Sequence, residues 1–285
     1  MTVTPGGPFV VTGSDVHTLL ATTTDGKYKK TLYKTTNTII DVAVSPTGRW
    51  VVLERTTDPI PAYNETFSVV TGGVGLATRT VASRSYAACM RDVAVSADSR
   101  IVAWDENGQM TQGPNGTWYC QNTKQVRAMT LSTGVEVMWE TTGNMAVTVT
   151  DFVDDDPRFA WLDLQSNYSQ WYKLNLVNGL PYQASAPPAR NAALSPDGTH
   201  NAYVGNSPGV PDLFVEDLNG NTRDYGQVVV SCENTAVGWL DNQTVLVDCG
   251  STGGADGYHP FHAVVRITDG KVLSTPVGPV YGFTR

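Results

Sequence analysis

One short stretch is written three times in this chain. It reads Asp41-Val42-Ala43-Val44-Ser45-Pro46-Thr47-Gly48, then Asp92-Val93-Ala94-Val95-Ser96-Ala97-Asp98-Ser99, then Asn191-Ala192-Ala193-Leu194-Ser195-Pro196-Asp197-Gly198. Small and β-branched residues in a short run favour a pleated strand. The residues that follow make a tight turn, with Pro second and Gly fourth in the first and third copies. A further run succeeds each turn: Trp50 to Leu53, Ile101 to Trp104 and Asn201 to Val204. Self-similarity on this scale signals blades or solenoid repeats, and it restricts the fold before any other feature is weighed.

A four-stranded antiparallel blade, strands A to D, needs an A-to-B turn and a C-to-D turn. Six C-to-D candidates end in glycine, at Gly26, Gly73, Gly134, Gly179, Gly220 and Gly270. Asp-Gly and Asn-Gly are strong hairpin signals because both central residues of a type I′ turn take positive φ. Five A-to-B candidates accompany them: Ser45 to Gly48, Ser96 to Ser99, Asp154 to Pro157, Ser195 to Gly198 and Leu240 to Gln243. The missing turn is explained if one blade takes strand A from Val280 to Phe283 and strand B from Pro8 to Thr12. Such closure pairs the chain ends and removes exposed edges. The expectation is all-β: a six-bladed β-propeller in one domain over 1–285. Its blades fall near 8–34 plus 279–285, 38–84, 90–142, 145–184, 190–228 and 233–277. The third blade is long because of a B-to-C loop from Asn107 to Lys124.

Composition agrees. Gly (27) and Pro (16) are frequent and charged residues make up only 16%, as expected of many short strands joined by turns. The net charge of -8, with no run of Lys or Arg, argues against nucleic acid or an anionic membrane surface as partner. No apolar run reaches a membrane span, and the first residues lack the regions of a signal peptide, so direct membrane insertion is not expected of this segment.

The Ser-Pro-Asp-Gly style of turn, after a small-residue strand and before an aromatic or aliphatic one, resembles the TolB-like (WD40-like, PD40) β-propeller family. The match is best from Asn191 to Val204, and it is sharp in the blades of Ser45, Ser96 and Ser195. Asp154-Asp155-Asp156-Pro157 and the Trp239 blade depart from it. The resemblance implies protein interaction as the default activity.

Four cysteines fall at matching places in two blades. Cys89 and Cys232 each lie three residues before a strand A, at Asp92 and Thr235, while Cys120 and Cys249 lie in the B-to-C loops of the same blades. D-to-A and B-to-C loops share one face, so Cys89 with Cys120 and Cys232 with Cys249 are the expected disulfides. Unpaired thiols or a zinc site are the alternatives, although zinc ligands usually come in closely spaced pairs. Two bridges imply an extracytoplasmic setting: a bacterial periplasm, secretion, or the cell surface, possibly as the ectodomain of an anchored or longer protein.

The usual catalytic motifs are missing: no Gly-x-Ser-x-Gly, no phosphate-cradling loop before a helix, no His-Glu-x-x-His. His259 and His262, near Asp256, would need a bend at Pro260 to share a metal. Asp151, Asp154, Asp155 and Asp156 could hold a structural calcium or form a solvated turn. No other cofactor is expected. Trp50, Trp104, Trp139, Trp161 and Trp239 fall on strands and read as packing between blades. Binding candidates gather on the cysteine-bearing face: Tyr63, Asn64, Tyr86, Trp118, Tyr119, Tyr168, Tyr258 and His259 in loops, with Asp41, Arg91, Asp92, Arg190 and Asn191 at the heads of the innermost strands. Large amphipathic rings carried by loops on a rigid scaffold suit recognition. The chain therefore reads as a non-enzymatic binding module whose partner is a protein or cell-envelope component. Two rivals stand beside it. One is a glycan-binding lectin, or a lyase or hydrolase using the central opening; the other is the non-catalytic propeller of a longer sensor or peptidase.

Overall fold

The computed structural model describes residues 9–23, 28–45, 47–56, 65–73, 76–113, 116, 118–153, 155–166, 168–185, 192–195, 197–207, 210–228, 234–250, 262–274 and 280–284. Among them the only helical element is a 3-10 turn at Tyr86–Ala88, and the strands assemble into six four-stranded antiparallel sheets and one two-stranded sheet.

The first sheet joins the two ends of the chain. Strands β1 (Phe9–Asp15), β2 (Thr18–Thr23) and β3 (Lys29–Lys34) pair in sequence, and the last strand, β26 (Val280–Thr284), adds to the free edge of β1. Phe9 pairs with Thr284 and Val11 with Gly282, after which a bulge shifts the register. This is the closure the strand count requires.

Three sheets belong to one compact unit, Val16–Thr18 with Lys34–Ala186. The second sheet is β4 (Thr38–Val44), β5 (Arg49–Arg55), β6 (Thr66–Gly73) and β7 (Leu76–Ser85). The third holds β8 (Val93–Val95), β9 (Ile101–Glu106), β12 (Gln125–Thr130) and β13 (Glu136–Glu140). Between β9 and β12 runs a separate hairpin, β10 (Gln109–Gln112) with β11 (Trp118–Gln121). The fourth is β14 (Met145–Val153), β15 (Asp156–Asp163), β16 (Ser169–Leu174) and β17 (Pro181–Gln183). Successive sheets pack through apolar seams. Val51, Leu53 and Phe67 meet Met90, Val102 and Trp104 in one, and Ala103 and Val126 meet Val147 and Phe159 in the next. Trp50 and Trp104 are fully buried, while Trp139 and Trp161 meet edge to face at 5.6 Å beside the second seam.

The other unit comprises Met1–Asp15, Leu19–Tyr33 and Pro187–Arg285. It holds the fifth sheet, β18 (Ala192–Leu194), β19 (His200–Ser207), β20 (Val210–Asp217) and β21 (Thr222–Gln227), and the sixth, β22 (Asn234–Asp241), β23 (Thr244–Gly250), β24 (His262–Arg266) and β25 (Lys271–Ser274). Trp239 fills their seam against Val204, Leu213 and Val247.

The thrice-written stretch is an innermost strand and its turn, and the serine explains why it recurs. Ser45, Ser96 and Ser195 are buried. Each closes its turn by donating its backbone N–H to the strand beyond, as Ser45 does to Arg49 O at 2.8 Å. Each hydroxyl also accepts a backbone N–H across the turn: Arg49 to Ser45 Oγ at 3.1 Å, Ile101 to Ser96 Oγ at 2.9 Å, His200 to Ser195 Oγ at 2.9 Å. Buried polar groups need such partners. In the third copy the Ser195 hydroxyl, followed by Thr199, holds the Asp197 carboxyl down at about 2. The fourth turn position takes positive φ in every copy: 89° at Gly48, 72° at Gly198 and 66° at Ser99. For serine that conformation costs roughly 1–2 kcal/mol relative to the right-handed region.

Two expectations shift. The C-to-D turn expected at Val70 to Gly73 lies further on, because β6 continues to Gly73, which pairs with Leu76. Gly72 serves close packing instead: a Cβ there would sit 2.3 Å from Cζ2 of Trp50. The Asn107 to Lys124 segment is not an open loop, since eight of its residues form the β10–β11 hairpin.

Candidate functional site

The β10–β11 hairpin stands at the B-to-C end of the third sheet. Its register pairs Met110 with Cys120, Thr111 with Tyr119 and Gln112 with Trp118. Strand alternation puts Met110, Cys120 and Trp118 on one face and Tyr119 on the other. Met110 and Cys120 pack onto the seam that holds Trp104, whereas Tyr119 is 46% exposed.

Three attachments fix the hairpin. Cys120 is bridged to Cys89, across Cα atoms 5.9 Å apart. Gly108 forms an isolated antiparallel bridge with Cys89, its N–H donating to Cys89 O at 3.2 Å. A side chain at Gly108 is impossible there, because its Cβ would lie 2.5 Å from Cys120 Sγ. From the second sheet, Arg55 Nη1 donates to Trp118 O at 2.9 Å, and its guanidinium lies 3.7 Å from Glu65. Burial raises the Glu65 carboxyl, with Arg55 opposing.

Beneath the hairpin root lies a charged network. Glu106 is buried; its Oε2 accepts from Trp104 Nε1 at 2.8 Å, and Arg84 Nε lies 3.0 Å away. Arg127 reaches the same carboxylate at 2.5 Å and also pairs with Glu136. Two guanidiniums against two carboxylates leave the cluster neutral, so it ties β7 of the second sheet to the third without presenting a net charge.

The innermost strands are tied by carboxylates. Asp41 Oδ2 accepts from Val93 N at 2.9 Å, joining β4 to β8. Asp105, fully buried on β9, accepts through Oδ1 from the backbone of Arg91 and Asp92, both at 3.1 Å, and through Oδ2 from Val149 N at 3.1 Å. It thus joins β9 to β14. Burial, and then the charge of Asp92, push its carboxyl well above the ordinary range. Arg91 Nε lies 3.3 Å from Asp92 Oδ2.

The structure therefore brings together two groups of the sequence candidates. Tyr86, Cys89, Trp118, Tyr119 and Cys120 meet around the hairpin, where the 3-10 turn of Tyr86 contacts β10. Arg91 and Asp92 precede β8 as expected, whereas Asp41 lies inside β4 rather than at its head, past a bulge, and reaches β8 through Val93 N. Tyr168, 62% exposed, stands apart at the B-to-C end of the fourth sheet. Tyr63, Asn64, Arg190, Asn191, Tyr258, His259 and Cys232 lie outside the described residues, as does the side chain of Cys249, so the second bridge does too. In the acidic run, Asp151 pairs with Arg158, Asp155 with Arg100 at 3.0 Å, and Asp156 accepts from Tyr182 at 2.6 Å; Asp154 is not described. Sequence reasoning missed Asp105, Glu106, Arg84 and Arg127. A signal was present: Asp105-Glu106 closes a strand that is otherwise wholly apolar, and two carboxylates at such a place need internal partners.

No protein-family model matches the chain, and no curated protein matches it in sequence. Solved structures do match in fold. TolB from Acinetobacter baumannii is 15% identical, with a TM-score of 0.57 over 99% of this chain and 68% of that one. A protein described as a TolB from Agrobacterium tumefaciens is 13% identical, with a TM-score of 0.50 over 94% of this chain and 92% of that one. At these identities the likeness concerns architecture. The fold is a TolB-like, all-β propeller built of four-stranded antiparallel blades, closed by N- and C-terminal strands that share a sheet.

Proposed function

We propose that this chain is a binding module rather than an enzyme, that it works outside the cytoplasm, and that its partner is a protein or another cell-envelope component. The observation that carries the reading is the stapled hairpin: a polar two-stranded element held by a disulfide, with Tyr119 turned to solvent. A disulfide at that position supports an oxidising compartment. Among the described residues no helix is long and apolar enough to cross a membrane.

The recognition surface in this reading is Tyr119 with Tyr86, whose 3-10 turn contacts β10. Tyrosine offers a large contact area at little entropic cost, and aromatic residues dominate interface hot spots. Asp41, Arg91 and Asp92, in the same unit, are the further polar candidates of this reading.

A photo-crosslinking residue placed at Tyr119, and another at the exposed Val177 as control, tests this on whole cells. The expected result is a defined envelope adduct at position 119 only. Tyr119→Ala should weaken binding of the recovered partner about tenfold, a typical value for an interface tyrosine. Identical adducts at both positions, or unchanged affinity in Tyr119→Ala, would refute the assignment.

A further inference from the structure

At the other end of β5 from Arg55, an open surface cleft of about 330 Å³ lies between the second and third sheets. Arg49, Arg79 and Arg100 line it, with Ser99, Leu131 and Ser132. Three arginines at one place are unexpected in a chain of net charge -8. The cleft lined by Asp197, Asp217 and Arg223 between the fifth and sixth sheets carries mixed charge, so a cationic lining is not a general product of the repeat.

The three guanidiniums are not equivalent. Arg100 is already matched by Asp98 and by Asp155, at 3.0 Å. Arg79 donates to a neutral acceptor, Leu131 O, at 2.9 Å. Arg49 has a buried Nε without a hydrogen-bond partner, and no described carboxylate pairs with Arg49 or Arg79. Burial, then the charge of Arg79, holds Arg49 below its ordinary value. Arg49 and the exposed Arg79 thus stand side by side with no described carboxylate paired to either.

Ser99 adds a second, independent observation. It stands in the positive-φ position that Gly48 and Gly198 fill in the other copies, and its hydroxyl lies 2.5 Å from that of Ser45 and in contact with Thr47. A residue kept in a strained conformation points to a role for its side chain. Here the side chain brings hydroxyl groups to the rim of the arginine cleft.

We propose that this cleft is a phosphate-binding site: Arg49 and Arg79 supply the two charges and the guanidinium donors, and Ser99 a hydroxyl, for a tetrahedral oxyanion. Guanidinium forks match phosphate oxygens in pairs, and two unmatched cations suit a dianion better than a single carboxylate. The phosphate could be free or carried as a phosphomonoester.

Thermal unfolding and phosphorus NMR of the protein titrated with sodium phosphate, against acetate at equal ionic strength, decide the matter. Wild-type protein should show a saturable response to phosphate and none to acetate. Arg49→Gln and Arg79→Gln should each weaken phosphate binding at least about tenfold, with Lys29→Gln unchanged. Ser99→Gly relieves the backbone, so it should unfold no earlier than wild type without phosphate and yet bind phosphate more weakly; this variant serves even if an arginine variant fails to fold. Glycerol phosphate binding more tightly than phosphate assigns a phosphomonoester, and weaker binding assigns the free ion. An equal response to acetate, or undiminished binding in Arg79→Gln and Ser99→Gly, would overturn the site.

Discussion

Asp105 shows how one residue can matter more than the sequence advertises. Its carboxylate is the fully buried acceptor for three backbone N–H groups from two sheets. Asp105→Ala leaves those groups unsatisfied and should lower the unfolding free energy by about 3–5 kcal/mol, read by urea titration. The pH dependence has a definite sign. Because burial and Asp92 raise the folded-state pKa, the linked contribution is present in full below the ordinary carboxylate range and is lost as pH rises towards the folded value. The stability of wild type relative to Asp105→Asn should therefore fall as pH rises above the ordinary carboxylate range; a rise in that direction would contradict the assignment. At this scale the sequence was legible where a residue acts locally. The turn serines announce themselves by repetition, whereas Asp105 and Glu106 are marked only as carboxylates ending an apolar strand, and their partners, up to 44 residues away, are not named by any local pattern.

The β10–β11 hairpin makes the corresponding point for an element. Gln109 to Gln112 has no apolar alternation, so nothing in the stretch itself demands a strand. It becomes one because Cys89, Gly108 and Arg55 hold it against the seam. The bridge closes a segment of sequence separation 31, for which the chain-entropy model expects about 3–4 kcal/mol. A Cys89→Ala, Cys120→Ala double variant should lose that much in urea unfolding, and amide exchange in residues 109–121 should accelerate before it does in β9 or β12. Uniform acceleration across the third sheet would show that the bridge supports the whole blade. The C-to-D turns tell the same story in smaller form. Gly134, Gly179, Gly220 and Gly270 take positive φ but the residues before them do not, so these turns are not the type I′ that Asn-Gly and Asp-Gly suggest; Gly72 is glycine for the sake of Trp50, a contact 22 residues away in sequence.

For the whole molecule, the decisive pairing is β1 with β26. It joins residues at opposite ends of the chain and covers an edge that would otherwise display unpaired backbone groups. Removal of residues 280–285 should expose β1, lower the unfolding midpoint and promote association through that edge, seen as a concentration-dependent rise in light scattering. A monomeric variant with an unchanged midpoint would mean that closure adds little to stability. The strand count predicted this pairing from one missing turn, because a blade without its A-to-B turn must draw strand A from elsewhere.

By itself the sequence determined the all-β class, the blade rhythm, the closure and the disulfide from Cys89 to Cys120, since each is written as local propensity, turn chemistry or repeated spacing. Tertiary structure alone decided the hairpin, the buried carboxylates tying sheet to sheet and the arginine cleft. These depend on which side chains meet once the sheets pack, and short-range patterns carry no record of that encounter. Arg49 and Arg79 look like ordinary strand residues until the fold sets them side by side with no described carboxylate paired to either.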